Sequence, residues 1–95
     1  MIERHVTFEV MPGKESAFEE LFKTKYSTAM AKQLGFVSVG LLREHDKPTN
    51  YQMLIRFQSF ETAALWRDSA DHQELQPQAK ALYNAVSVVV YDVIA

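Results

Sequence analysis

His72 is the side chain in this chain best suited by type to acid–base chemistry. An imidazole changes charge near neutral pH, so it can take a proton from a phenol or a quinol, and it can also ligate iron. Trp66 lies six residues earlier and offers a flat face on which an aromatic ligand could stack. Tyr51, Met53 and Phe57 alternate along one stretch and, with Ile55, form an apolar face that could line a cavity. Phe22, Tyr26 and Tyr83 are the other aromatic candidates for the same wall. Each of these residues has a plainer role open to it. His72 could simply open a helix and pack on Trp66, and the apolar residues could be core.

The remaining polar groups suggest less. His5 and Glu9 share a strand face with Thr7, and no third ligand type recurs nearby, so a metal site has weak support. With Arg56 they form a polar strand layer. His45 falls in a polar loop. There is no cysteine, which excludes disulfides, thiolate catalysis and thiolate metal sites. Nucleotide-binding loops and the common hydrolase and zinc-protease motifs are absent as well.

Length and charge narrow the class. Ninety-five residues make a single domain, residues 1–95, and 47% are hydrophobic. A formal net charge of −2 with interleaved signs leaves no basic patch for nucleic acid. The longest apolar run, Val88 to Tyr91, is too short to span a bilayer, and the amino end lacks the charged-then-apolar order of a signal peptide. The reading is of a cytoplasmic protein without nucleic-acid or membrane partners.

The elements that must position these residues follow from periodicity. Ile2, Val6, Phe8 and Val10 alternate with Glu3, His5, Thr7 and Glu9 as a strand ended by Pro12-Gly13. Lys14 to Leu34 reads as one helix, with Phe18, Leu21, Phe22, Tyr26, Ala29 and Met30 along its apolar stripe and Gly35 as its stop. Phe36 to Arg43 is a second strand. A loop at 45–50 leads into a third strand from Tyr51 to Phe57. Ser59 suits an N-cap for a helix carrying Trp66. Asp71 to Glu74 has capping-box spacing for a second short helix, and Pro77 suits the first turn of a last helical piece. Val86 to Ile94 is the final strand. This βαββαβ order predicts a ferredoxin-like α+β fold, with helices on one face of a four-stranded antiparallel sheet.

Two helices cover one face of such a sheet. The last strand is apolar on both faces, with Val86, Val88, Val90 and Ile94 on one side and Val89, Tyr91 and Val93 on the other. Exposed apolar patches of that size are uncommon on monomers, so a homodimer packed sheet on sheet is expected.

Pro12-Gly13 before the long helix, Gly35-Phe36 after it, Tyr51, Phe57-Gln58-Ser59 and Trp66-x-x-Ser69-x-x-His72 together resemble the antibiotic biosynthesis monooxygenase family across nearly the whole chain. The resemblance implies a dimeric α/β barrel of two ferredoxin-like protomers, with a pocket between the helices and sheet of each. It also implies either cofactor-free oxygenation of an aromatic or quinol substrate, or haem breakdown. For the haem-degrading branch, Trp66 matches the family's Trp. The Asn expected on the first strand falls on Val6, and the His expected ten residues after the Trp falls on Gln76. For the polyketide branch, the Asn and Trp of the third strand fall on Met53 and Phe57.

The function expected is cofactor-independent oxygenation of a small hydrophobic aromatic ligand, with His72 as base and Trp66, Tyr51, Met53, Phe57, Phe22, Tyr26 and Tyr83 around the substrate. Haem binding or degradation is an alternative. A non-catalytic ligand-binding or structural dimer is another.

Overall fold

A computed structural model describes residues 1–95. The elements run β1 (Ile2–Val10), α1 (Glu15–Leu21), a π-helical turn (Phe22–Tyr26), α2 (Ser27–Ala31), β2 (Phe36–Glu44), β3 (Lys47–Phe57), α3 (Phe60–Arg67), α4 (Ala70–Lys80) and β4 (Tyr83–Asp92). The strands form one sheet in the order β2-β3-β1-β4, and every neighbouring pair is antiparallel. This is the expected ferredoxin-like topology. All helical segments lie on one face.

Strand alternation decides which residues meet them. Val6 pairs with Met53 and Val88, and Phe8 with Tyr51 and Val86, so these side chains share the helix side. Tyr51, Met53, Ile55 and Phe57 are all buried there, with Phe18, Tyr26, Met30 and Trp66 descending from the helices. Glu3, His5 and Arg56 face away. The Glu3 carboxylate accepts from Arg56 and pairs with His5, which holds it below the usual carboxylate range.

The local structure departs from the periodicity reading in five places. The long helix is not uniform: Phe22–Tyr26 widens into a π turn, and the helix ends at Ala31. The loop expected at 45–50 contracts to the tight turn His45-Asp46, and β3 already runs from Lys47. Pro48 is tolerated because it lies at the hairpin tip, before the pairing of β3 with β1 begins at Asn50. The second helix of the pair starts one cap earlier than Asp71. Ser69 adopts extended backbone angles and its hydroxyl accepts the His72 N–H, which places Asp71 inside the first turn. Pro77 then falls within α4 rather than opening a separate piece. It removes one backbone donor, and tertiary packing through Leu75 and Ala79 carries the helix across it. Finally, β4 begins at Tyr83 and ends at Asp92, leaving Ile94 exposed.

Ser59 matches the reading closely, whereas Gly35 turns the chain into β2 without ending the helix, which stops at Ala31 with Lys32 as its cap. Ser59 caps α3, with its side chain and that of Thr62 bonding each other's backbone N–H. Gly35 has φ +78, and a Cβ built there would lie 2.5 Å from the Thr62 hydroxyl, so the turn into β2 and the N-terminus of α3 meet over a missing side chain. Gly13 also has positive φ, at +89, but open space surrounds it.

These two glycines therefore separate conformational strain from steric clash. Gly13→Ala should lower the unfolding free energy by about 1–2 kcal/mol through φ alone. Gly35→Ala should add an overpacking penalty of about 1–3 kcal/mol. Urea denaturation of both variants checks the difference, and equal losses would contradict the Gly35–Thr62 contact.

Candidate active site

The α3–α4 corner and the sheet enclose a cavity of about 200 Å³, and 11 of its 15 lining residues are hydrophobic. Its floor is the helix face of the central strands, Val6, Phe8, Met53 and Ile55. Trp66 and His72 come from the corner, Tyr26 from the end of the π turn, and Tyr83 from the start of β4. A π turn displaces later side chains relative to a regular α-helix and is common at functional sites, which is consistent with where it carries Tyr26.

One hydroxyl organises the corner. Ser69 donates to the Trp66 carbonyl at 2.7 Å and accepts from the His72 backbone N–H at 3.1 Å. The two rings meet edge-on with centroids 5.1 Å apart. Trp66 is buried and also meets Tyr26 edge-on. The His72 Nδ1 is buried and has no hydrogen-bond partner. A buried polar atom without a partner is uncommon.

Burial lowers the His72 pKa, and the Arg4 and Arg67 charges lower it further against a smaller opposing effect from Asp68. The imidazole is therefore neutral at physiological pH, as a proton acceptor must be. Burial, with Tyr83 contributing, pushes the Tyr26 phenol up to about 12, which keeps it a neutral donor. No group of three or more His, Cys, Asp or Glu side chains is arranged to hold a metal ion.

The structure divides the candidate residues. Tyr26, Met53, Trp66, His72 and Tyr83 meet in this cavity. Tyr51 and Phe22 do not. They line a separate depression beside Leu41, where the Tyr51 hydroxyl donates to Glu19, which also accepts from Arg43. Tyr51 shares a strand face with Met53 but lies one pair further along the sheet, under α1 rather than α4. Phe57, with no exposed surface, is packed edge-on against Phe36 and belongs to the core.

Periodicity missed Arg4, Arg67 and Gln76, which also line the cavity. The signal for Arg4 was present. It occupies an even position in β1, on the apolar side with Ile2, Val6, Phe8 and Val10, and is the charged residue in that row. Gln76 follows His72 by one helical turn. Val6 and Gln76, where the family resemblance expected polar groups, both reach the cavity without supplying an Asn or a His.

The fold is the ferredoxin-like α+β class, with its cavity between helices and sheet. By sequence, the model of the Antibiotic biosynthesis monooxygenase family matches residues 1–78, and the chain belongs to that family. No curated protein sequence matches it significantly. Among solved structures it is similar to SnoaB of Streptomyces nogalater, described as a cofactor-independent oxygenase, with TM-score 0.89 and 21% identity over 99% of this chain and 93% of that one. It is also similar to Rv0793 of Mycobacterium tuberculosis, with TM-score 0.86 and 20% identity over 99% and 95%. A conserved protein of Methanosarcina mazei Go1 gives TM-score 0.86 and 20% identity over 95% and 89%. At these identities the likeness is one of fold. No helix is long and apolar enough to cross a membrane.

The His72 environment has a consequence for stability. Its pKa is lower in the fold than the ordinary 6.5, so above that pH both folded and unfolded chains hold it neutral. As pH falls through 6.5 the unfolded chain binds the proton first, and stability declines until the folded pKa is reached. The depressed carboxylates Glu3 and Glu19 contribute a similar decline only further down, below about their ordinary 4.5. His72→Gln should flatten the stability profile just below pH 6.5. Urea midpoints across that window measure this, and an unchanged slope would contradict the assigned burial.

Proposed function

We propose that this protein is a cofactor-independent monooxygenase acting on a small aromatic or quinol-type substrate. The observation that carries the reading is neutral His72, edge-on to Trp66, in the wall of an aromatic-lined cavity. Family membership and the SnoaB-like fold support it.

The substrate ring occupies the space between Trp66 and the Val6–Met53 floor. Its acidic hydroxyl or ring-carbon proton passes to His72, leaving an electron-rich anion in an apolar setting. The anion transfers an electron to dioxygen, and the resulting pair combine to form a carbon–oxygen bond. Loss of water from that peroxide leaves a carbonyl. One oxygen atom stays on the ring, and the other departs as water with one hydrogen from the oxidised carbon and the proton that His72 first accepted. All the reducing equivalents come from the substrate, so the step requires no flavin, haem or external reductant.

Haem fits these residues poorly. A cavity of about 150 Å³ holds a benzene, so 200 Å³ suits one or two fused rings and is far below the size of a porphyrin. Val6 and Gln76 also supply neither the Asn nor the His expected for haem breakdown, which leaves His72 as the one imidazole at the cavity. A non-catalytic binding role would use the same cavity, and turnover separates the two readings.

Oxygen uptake with a panel of small quinols and anthrones tests the reading. At least one compound should consume oxygen above the buffer rate, and His72→Gln should lower kcat by about 10²–10⁴-fold. No uptake with any compound, or full activity without the imidazole, would contradict it.

The active unit is proposed to be a homodimer. On the side away from the helices the edge strands expose Leu42, Val89 and Tyr91, around the more polar strip of β1 and β3. Val86, Val88 and Val90 do not contribute to that surface. They point to the helix side of edge strand β4 and remain over 40% exposed because the helices pack over the central strands instead. Sedimentation at micromolar concentration should give twice the chain mass of 10.9 kDa, and Val89→Asp should shift it towards the single chain. A monomer for the unaltered protein would refute the assembly.

A further inference from the structure

Arg4 is unusual for its place. It lies on the apolar, helix-facing row of a central strand, partly buried, with no carboxylate within salt-bridge distance and no hydrogen bond to its guanidinium. Arginine in such a setting is normally paired, because desolvating a guanidinium without compensation is unfavourable. Arg67, from the last turn of α3, reaches the same cavity, and the two also border a shallower depression beside it together with Val88 and Val90. Arg67 has an exposed partner, Asp68, at 3.4 Å. No Asp or Glu lines the cavity, so its wall carries two guanidinium groups and no anion of its own. The rest of the lining is largely aromatic and aliphatic.

We infer that the cavity takes an aromatic acid: one or two fused rings between Trp66 and the sheet, bearing a carboxylate held by the Arg4 guanidinium, with Arg67 as the second cation. A planar guanidinium presents paired N–H donors that match the two oxygens of a carboxylate, and the contact is strengthened where water is displaced. The anion also supplies the charge that Arg4 lacks in the free protein. Arg4 lowers the proton affinity of His72, and a bound carboxylate offsets that effect, leaving the imidazole a better base with substrate present than without it. This assignment rests on the cavity being the substrate site. It is independent of whether oxygenation follows.

Binding distinguishes the two. 2-Naphthoate and its uncharged isostere 2-naphthamide are compared by calorimetry. The indole N–H resonance of Trp66, the sole tryptophan, reports whether each ligand occupies the cavity. The acid should bind about tenfold or more tightly than the amide. Arg4→Gln should abolish that preference, with the loss falling mainly on the acid, and Arg4→Lys should restore part of it. Should Arg4→Gln fail to fold, Arg67→Gln, altering a more exposed side chain, should narrow the preference by a smaller factor. Equal affinities for acid and amide in the unaltered protein would overturn the assignment. So would a preference that survives every arginine substitution, or no movement of the Trp66 resonance with either ligand. An Arg4-dependent preference for the acid, combined with no oxygen uptake on any quinol, leaves this assignment standing and removes the oxygenase reading. Turnover of quinols with no acid preference does the reverse.

Discussion

The structure depends on how Trp66 wedges the α3–α4 corner above the sheet. Its indole is buried between helices and strands, and truncating a residue of this kind typically costs about 3–5 kcal/mol. A bulky rigid ring at that point does two things. It supplies much of the apolar contact that holds a short two-helix corner in place. It also lines the void next to it, which the aliphatic floor of β1 and β3 leaves open. The corner is made rigid by short-range bonds: Ser59 and Thr62 fix where α3 begins, and Ser69 joins the end of α3 to the start of α4.

From that wedge the chemistry of the site follows. His72 is held by its backbone N–H, so its ring is aimed by packing on Trp66 rather than by a ring hydrogen bond. Removing the ring from water favours the neutral imidazole. Arg4 and Arg67 act in the same direction, because a protonated His72 would be a third cation in one apolar space. The site therefore combines a neutral imidazole with positive charge that no carboxylate of the cavity wall balances.

The sheet has different tasks on its two sides. The helix side is cavity floor across the middle of β1 and β3 and core towards their ends. The far side carries the Glu3–His5–Arg56 ion network at its centre and apolar side chains towards its edges. The valines of β4 serve both, because an edge strand is covered less completely than a central one. Those on the helix side border the cavity, and Val89 on the far side is exposed.

Much of this was legible in the residues themselves. Alternation in β1 and β3 assigned the buried face, since a strand's period of two leaves no freedom once one side is core. Ser59 marked a helix start, and Gly35 a turn, by chemistry that acts within a few residues. The βαββαβ order then left few topologies open. Other features depend on contacts between residues distant in sequence. Tyr51 and Met53 share a face, yet only the placement of α4 over one and α1 over the other puts Met53 in the cavity and Tyr51 beside Glu19. Pro77 inside α4 and the π turn at Phe22–Tyr26 contradict local preference, and packing against the sheet outweighs it. Arg4 was visible as a charge in an apolar row, but a row cannot say whether a charge meets a carboxylate, water or an empty cavity. Periodicity reports which side of an element is buried. What lies opposite is decided by elements that meet only when the chain is folded.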